Sequence, residues 1–446
     1  MFKTIKNAWG IPDLRKKILF TLFVIVVFRF GAVIPVPFLN STALRGIMNS
    51  SAVNSTALGY LDMFSGGAFS NATLFAMSVT PYINSSIIMQ LLAVAIPALE
   101  RMVKDGGEAG RKKMGQITRV VAVLLGLLQG LAYYFYLRNA SYGGTPIVKY
   151  TQGGAGVFTA FVIILVFTAG TALMMWMGEQ INQKGVGNGI SILLFAGIVA
   201  RMPVIIGNLG KYLNMAWTDG SANGRYFFLV PLWGLIFLAL MWVIVFMNDA
   251  ERRIPVQYAK RVVGRKQYGG QASHIPIKVG IGGVMPIIFA SSILSIPTTI
   301  RFFIGDNKDL GSFWNGFFAA FSSTGWVYCI LYVILIVAFG YFYTAIQYNP
   351  IEMANNLRQS NGTIPGIRPG KPTSDFIGKV LSKITFVGSV FLAIIAMMPI
   401  VFANATGMHN LSMGGTSIII LVGVALETVK QLESQMMMRH YKGFLD

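Results

Sequence analysis

Charged residues are scarce in this sequence. Only 12% of its 446 residues are Asp, Glu, Lys or Arg, whereas a soluble globular domain has roughly 25%. Hydrophobic residues make up 54% of the chain. No single soluble core uses that much apolar sequence, so the composition excludes an ordinary soluble domain and predicts an integral membrane protein.

Cysteine and histidine are also rare. Cys329 is the only cysteine and lies in an apolar run, which excludes a disulfide within the chain and a thiolate metal cluster. His274, His409 and His440 are far apart, and there is no HExxH motif. We therefore predict no metal site and no cofactor.

Motifs for nucleotide binding and catalysis are missing as well. Gly185, Gly187 and Gly189 follow no predicted strand and do not complete a G-x-G-x-x-G pattern, so a tight turn is expected there. Lys371 is followed by Pro372, where a P-loop needs Ser or Thr. The apolar runs hold no paired carboxylates, His cluster or Ser/His pair, so we predict no catalytic residue and no enzyme activity.

What the sequence does contain is a series of long apolar runs. A membrane-spanning helix needs about 20 apolar residues, and the last run reaches that length only if it continues into the polar helix behind it. The ten predicted spans are residues 18–36, 72–99, 117–137, 157–177, 190–206, 227–247, 279–300, 326–346, 376–403 and 416–429. The first follows a basic start but lacks a cleavage site, so we expect a retained helix and not a signal peptide.

Basic residues concentrate on one side of this predicted topology. With the amino terminus in the cytoplasm, 27 of the 36 Lys and Arg residues fall in cytoplasmic segments and eight in outer loops. The positive-inside rule therefore favours an even number of spans with both termini in the cytoplasm. Anionic lipid headgroups account for part of the bias.

Two cytoplasmic loops are longer than a simple connection requires. Loop 248–278 combines basic residues with tyrosines, and loop 347–375 combines them with four prolines that predict a stiff, projecting shape. Such surfaces suit a phosphate backbone such as ribosomal RNA, or an acidic protein partner. Docking of a partner is favoured over passive lipid contact.

The apolar segment 59–70 is too short to cross a bilayer. Backbone groups facing lipid without hydrogen bonds are costly, so the segment must lie at an interface or re-enter a protein-lined cavity. Gly66 and Gly67 predict a break before the second span. In that span Thr73, Thr80 and Asn84 are expected to form a polar stripe that faces either a neighbouring helix or a water-filled cavity.

Part of the second span recurs in the seventh. Residues 79–86 and 284–291 match at four of eight positions, including the proline. Two halves of five spans each, 1–207 and 208–446, must have opposite orientations, and in such proteins the interface of the repeats is the working site. Inverted halves occur in secondary transporters too, so the topology leaves both a transporter and a channel open.

Several long motifs carry a resemblance to a known family. They are LDMFSGGAFS, PYINSSIIMQLL, GNGISILLFAGIV, ERRIPVQYAKR, GVMPIIFASSIL, NPIEMANNLRQSNGTIPGIRPGKPT, GGTSIII and RHYKGFL. In this order they resemble the SecY/Sec61-alpha family, whose bacterial members are the central channel subunits of the Sec protein translocase. The resemblance covers nearly the whole chain and implies an all-α membrane protein with ten spans, two inverted halves and a re-entrant plug helix.

The resemblance also implies roles for individual residues. The plug is segment 59–70, with Leu61, Phe64, Ser65, Gly66 and Gly67 at its centre. The implied pore ring, whose aliphatic side chains close around a passing polypeptide, consists of Val79, Ile83, Ile190, Leu194, Ile288 and Ile420. Val79 and Leu194 stand where isoleucine is common in the family, so the ring is expected to be slightly altered but still aliphatic.

The same resemblance places a lateral gate at the seam between the second and seventh spans, near Thr80, Asn84 and Ser291. Arg265, Lys266 and Arg368 match positions that engage the ribosome or a SecA-type motor ATPase. Further expected partners are SecE-like and SecG-like small membrane subunits, the translocating polypeptide with its signal sequence, and anionic lipids.

The expected function is a channel in the bacterial plasma membrane that passes unfolded secretory polypeptides and releases membrane helices laterally. A small-solute transporter would need acidic residues at mid-membrane, and Glu427, the nearest candidate, lies at the inner end of the last span. Arg29 lies within the first span and is expected to snorkel outward or pair with backbone carbonyls at a helix end.

Overall fold

The computed structural model describes residues 2–48, 62, 65–104, 106–218, 224–258, 261–263, 266–268, 272–280, 282–304, 311–321, 325–407 and 415–442. Helices make up most of this part of the chain. They are α1 (Phe2–Trp9), α2 (Pro12–Gly31), α3 (Ser41–Met48), α4 (Thr80–Ala95), α5 (Pro97–Lys104), α6 (Gly107–Asn139), α7 (Gly153–Lys184), α8 (Gly189–Thr218), α9 (Arg225–Asp249), α10 (Met285–Ile304), α11 (Ser312–Ala320), α12 (Trp326–Gln347), α13 (Pro350–Gln359), α14 (Lys371–Thr406) and α15 (Gly415–Lys442).

Nine of the ten predicted spans each coincide largely with one of these helices, and the second is divided between α4 and α5. Within the described residues, six helices are long and apolar enough to cross a membrane, and the bent pair of α4 and α5 makes a seventh candidate. The pair bends by 105° at Ile96, directly before Pro97. Because proline restricts the residue before it to extended backbone, the helix breaks there. The other three predicted spans lie on α2, α10 and α15.

The second span differs from its prediction at the amino-terminal end. We expected it to begin near residue 72, but α4 begins at Thr80 and the preceding residues 65–79 form turns. The predicted polar stripe is therefore wrong at Thr73, which is not helical and donates its hydroxyl hydrogen to the Ala68 carbonyl at 3.1 Å. Apolar composition alone does not distinguish a buried turn from the helix that follows it.

Short strands connect several of the helices. They are β1 (Ser141–Tyr142), β2 (Thr145–Pro146), β3 (Glu251–Tyr258), β4 (Arg261–Val263), β5 (Lys266–Tyr268), β6 (Ala272–Lys278) and β7 (Gly362–Thr363). The order β6-β3-β7 joins the two long basic loops in one sheet. Ile254, Val256 and Ile277 point into a buried cluster beneath this sheet. The strands in loop 248–278 go beyond the prediction, and the alternating Ile-Pro-Val and Ile-Pro-Ile patterns of β3 and β6 explain them. Loop 347–375, for which the prolines predict a stiff, projecting shape, contains α13 and β7.

The helix ends define two faces of the molecule. The basic face carries α1, the carboxyl end of α15 and the sheet β6-β3-β7, and there Ala8, Val186 and Leu432 pack into one small cluster. The opposite face carries α3 and the β1–β2 hairpin. The main hydrophobic cluster combines residues of α2, α7 and α8 with residues of α15. The core therefore includes helices from both predicted halves.

Candidate functional site

The site is built around the turns that precede α4. Gly66, Gly67, Ala72 and Ser78 all have positive φ angles, between 46° and 87°. Residues with positive φ cannot continue a right-handed helix. Residues 65–79 therefore form a turn segment, which directly precedes the first residue of α4. The helix then begins with Pro81 in its first turn, where the missing N–H costs no hydrogen bond.

The six predicted ring residues all lie in or against the main hydrophobic cluster. Val79, Leu194 and Ile420 are buried members of the main hydrophobic cluster, and Ile83, Ile190 and Ile288 are partly buried and pack against it. They are supplied by four helices and by the residue before α4. All six side chains are aliphatic, so they offer no hydrogen bond to water or to an ion. A constriction of this kind dewets and resists ions when it is narrow.

The turn segment is held against α7 by a close backbone approach. A Cβ atom added to Gly170 of α7 would lie 2.0 Å from the Leu74 carbonyl oxygen and 3.0 Å from its carbon. No side chain fits there, because real Cβ atoms do not approach backbone so closely. Tyr133 of α6 also donates its hydroxyl hydrogen to the Phe69 carbonyl at 2.9 Å. The segment is thus fixed by the helices of the first half.

Part of the predicted plug belongs to the same segment. Leu61 and Phe64 lie outside the described residues. Ser65 is buried and accepts the Phe69 N–H with its hydroxyl at 3.0 Å, while Gly66 and Gly67 form the predicted break in left-handed backbone. Arg29 Nη1 lies 3.4 Å from the Gly66 carbonyl oxygen. The expected backbone partner of Arg29 is therefore a carbonyl of this segment, and not one at a helix end.

The predicted gate residues lie on two helices that contact each other. Thr80 and Asn84 are partly buried on α4, Ser291 is partly buried on α10, and α10 contacts both α4 and α6. Ser291 donates to the Ile288 carbonyl of its own helix at 2.9 Å. Asn84 Oδ1 is buried and has no hydrogen-bond partner among the described residues. Asn84 Oδ1 is thus a buried polar atom of α4 that nothing in the described chain satisfies.

The predicted docking residues are only partly described. Arg265 lies outside the described residues, and for Lys266 only its backbone position in β5 is described, in a hairpin with β4. Arg368 is exposed in the loop before α14, and its carbonyl accepts the hydroxyl hydrogen of Thr373 at 2.9 Å. This bond fixes the loop in place and leaves the guanidinium at the surface of the basic face.

Comparison with known proteins decides the family. The SecY family model matches residues 73–429, which is most of the chain. This chain belongs to the SecY family. It is 42% identical to protein translocase subunit SecY of Halalkalibacterium halodurans and 43% identical to that of Bacillus subtilis, with full coverage of both chains in each comparison.

Solved structures of the family share the fold. One described as a protein-conducting channel matches with a TM-score of 0.62 at 18% identity, covering 94% of this chain and 92% of its own. A SecY structure that concerns the plug domain has a TM-score of 0.63 at 18% identity, with the same coverage. Sec61 in a canine ribosome–channel complex has a TM-score of 0.61 at 16% identity, and again covers 94% and 92% of the two chains. The predicted all-α channel fold is confirmed.

Two features close to the turn segment and α4 were not predicted from the sequence. A cavity of about 1000 Å³ separates α4 and α6 from α12 and α14, with Tyr82 and Gln90 on one wall and Tyr341 and Thr385 on the other. The second feature is an ion pair between the buried Asp62 and the partly buried Arg201. Asp62 is the only acidic residue between Asp13 and Glu100, and that isolation in an apolar stretch is the signal that could have identified it.

Proposed function

We propose that this chain is a protein-conducting channel of the bacterial plasma membrane, which passes unfolded secretory polypeptides and releases membrane helices sideways into the bilayer. The observation that carries the proposal is the convergence of six aliphatic residues from separate helices in one cluster. The relatives named protein translocase subunit SecY support it. The chain itself supplies no chemistry, and a partner provides the energy for movement.

The proposed channel consists of two inverted halves, residues 1–207 and 208–446, with both termini in the cytoplasm. The order of helix contacts supports this division. In the first half α4, α6, α7 and α8 pack in sequence, and in the second α10, α12, α14 and α15 repeat that order. Helix α8 continues to Thr218, so the boundary along the chain falls within its outer end.

The proposed mechanism assigns one task to each part of the site. The aliphatic ring seals around a chain of any sequence, because it fits by apolar contact alone and makes no hydrogen bonds. Segment 59–70 blocks the outer side of the ring at rest. The seam between α4 and α10 separates so that an apolar helix of about 20 residues can leave toward lipid. The 1000 Å³ cavity beside α4 already provides space between the halves on the basic side.

The proposed partners act on the basic face and around the helices. A ribosome or a SecA-type motor ATPase docks on the loops that contain Arg265, Lys266 and Arg368. The Sec61 relative is described in a ribosome–channel complex, and the related yeast Ssh1 complex is described as bound to a ribosome. SecE-like and SecG-like subunits are proposed beside the helices, and anionic lipids around the cationic rim.

Reconstitution tests the proposed function. Proteoliposomes that contain this chain with its small subunits and a SecA-type motor are expected to protect a radiolabelled secretory precursor from external protease in the presence of ATP. The same vesicles with the precursor's signal sequence deleted serve as the control. If the precursor is not protected although the purified complex is folded and inserted, the proposed function is wrong.

Charge reversal at Arg368 is expected to weaken partner binding. The guanidinium is exposed on the basic face, and replacing it with glutamate turns an attraction for phosphate or carboxylate into a repulsion. We expect Arg368→Glu to reduce ribosome affinity by about tenfold at physiological salt. Cosedimentation of the purified complex with ribosomes measures this. Lys113→Glu makes the same charge change on the exposed start of α6, and an equal loss there would contradict a specific role for Arg368.

Removing the unsatisfied oxygen of Asn84 is expected to stabilise the closed state of the seam between α4 and α10. A buried oxygen without a hydrogen bond costs about 1–3 kcal/mol, so Asn84→Leu should stabilise the closed seam by a similar amount. We expect a higher Tm and about tenfold slower translocation of precursors with weakly hydrophobic signal sequences. Ser291→Ala is the control, because Ser291 already bonds within its own helix. A lower Tm for Asn84→Leu would contradict this account of the seam.

A further inference from the structure

The plug segment carries a charge that is paired inside the first half. Arg201 Nη1 of α8 lies 2.5 Å from Asp62 Oδ2, and the side chains of Arg201 and Asp62 are 24% and 5% exposed. Taking the carboxylate out of water is costly unless it is paired and hydrogen-bonded. The near-complete burial of the Asp62 carboxylate therefore requires an ion-pair partner and hydrogen-bond donors around it.

Each oxygen of Asp62, in the carboxylate and in the backbone carbonyl, accepts at least one hydrogen bond. Its Oδ1 accepts the Ser70 N–H at 2.7 Å. Its carbonyl accepts the Gly67 N–H at 2.9 Å and the Ser65 hydroxyl at 3.0 Å. Asp62 thus bonds to residues 65, 67 and 70 and joins them to α8 through one ion pair.

A second contact joins the same turn to the first half. A Cβ added to Gly66 would lie 2.8 Å from the Gly197 carbonyl oxygen of α8 and 2.9 Å from Arg29 Nη1, so this backbone lies directly on α8 and beside α2. Two cations, Arg29 and Arg201, therefore flank a turn that carries one anion. All of these residues belong to the first half, and none of these contacts crosses to the second.

This placement separates two movements. Opening the seam between α4 and α10 moves the halves apart, but it leaves the turn bonded to α2 and α8. We propose that Asp62 and Arg201 form an ionic latch that retains the plug on the first half, so that plug release is a second step with its own barrier. The inference rests on the proposed channel function, and it makes Arg201 a positioning residue for the closed state.

Neutral variants test the latch without removing its other contacts. Asp62→Asn keeps an acceptor for the Ser70 N–H and loses only the charge, and Arg201→Gln removes the partner. A cysteine at Ala68, which is fully buried in the resting protein, reports plug position in a Cys329→Ser background. Its rate of modification by a membrane-impermeant maleimide is measured in resting proteoliposomes of the full complex, so the assay does not require translocation.

The expected result is about tenfold faster modification in each single variant, since loss of one partner leaves a buried charge or dipole unpaired. The double variant should be no faster than the singles, because both remove the same interaction. Lys211→Gln removes an exposed cation from the same helix and should change nothing. Unchanged rates in the singles, additive effects in the double, or an equal effect of Lys211→Gln would overturn the latch. Loss of precursor translocation with an intact labelling pattern would instead count against the proposed function alone.

Discussion

Ile420→Ser is expected to make vesicles that contain this channel leak ions at rest about ten times faster than vesicles with the unchanged protein. Ile420 is buried in the cluster that holds Val79 and Leu194. Replacing its side chain with a hydroxymethyl group removes about 2 kcal/mol of apolar burial and allows water to hydrate the constriction. Because each 1.4 kcal/mol is a tenfold change in an equilibrium, the hydrated state becomes common enough to conduct. Ion flux from dye-loaded proteoliposomes measures the leak.

The neighbouring residue provides a matched control. Ile419 lies on the same helix and is 2% exposed, like Ile420, but it packs in the second cluster with Tyr332 of α12. Ile419→Ser should lower the free energy of unfolding by about as much as Ile420→Ser does, without opening a path for ions. An equal leak from both variants would mean that general loosening, and not hydration of the ring, lets ions through.

Gly170→Ala is expected to be strongly destabilising although it adds only one methyl group. Alanine adds only a Cβ, but that atom would lie 2.0 Å from the Leu74 carbonyl oxygen. Neither backbone can rotate away, so α7 and the turn segment must separate. Overpacking of this kind costs about 1–3 kcal/mol, and occasionally more, and a backbone clash lies at the upper end. A lower Tm together with a resting ion leak is expected, because the turn leads directly into the ring.

Gly130→Ala is the control for that change. Gly130 lies on α6 facing the same helix α7, and an added Cβ would meet Phe167 Cβ at an ordinary 3.5 Å. In a helix, alanine is favoured over glycine by about 1 kcal/mol, so this variant should match or slightly exceed the stability of the unchanged protein. If Gly170→Ala were equally stable, the close approach of Leu74 to α7 would not exist in solution.

The resemblance predicted which residues would lie together in the main hydrophobic cluster, and their role as a pore ring stays a prediction. Long motifs in family order fixed the equivalent positions, and all six residues do fall in one cluster. Composition alone located the ten helices but missed where α4 begins, since residues 72–79 are as apolar as a helix although their backbone turns. Positive φ at Ala72 and Ser78 depends on packing against neighbouring helices, and local propensity does not record such packing.

Two other features depended on contacts between distant residues. Asp62 and Arg201 are 139 positions apart, so nothing local links the plug turn to α8. The sheet pairs Gln257 with Thr363 from the other basic loop, and its strand β3 contains Pro255, which has no N–H to donate. It is accommodated because β7 pairs only with the end of β3, which leaves the proline without a partner strand on that side.

Crosslinking of a stalled secretory precursor tests whether the aliphatic ring lines the path of the polypeptide. Ile83, Ile190, Ile288 and Ile420 are each replaced by cysteine in a Cys329-free background, and a precursor with one photoreactive or thiol-reactive residue is arrested in the channel. We expect adducts from all four positions, because the polypeptide is proposed to pass through the ring that they form. Translocation that proceeds with no adduct at any of the four would place the path elsewhere and contradict the account.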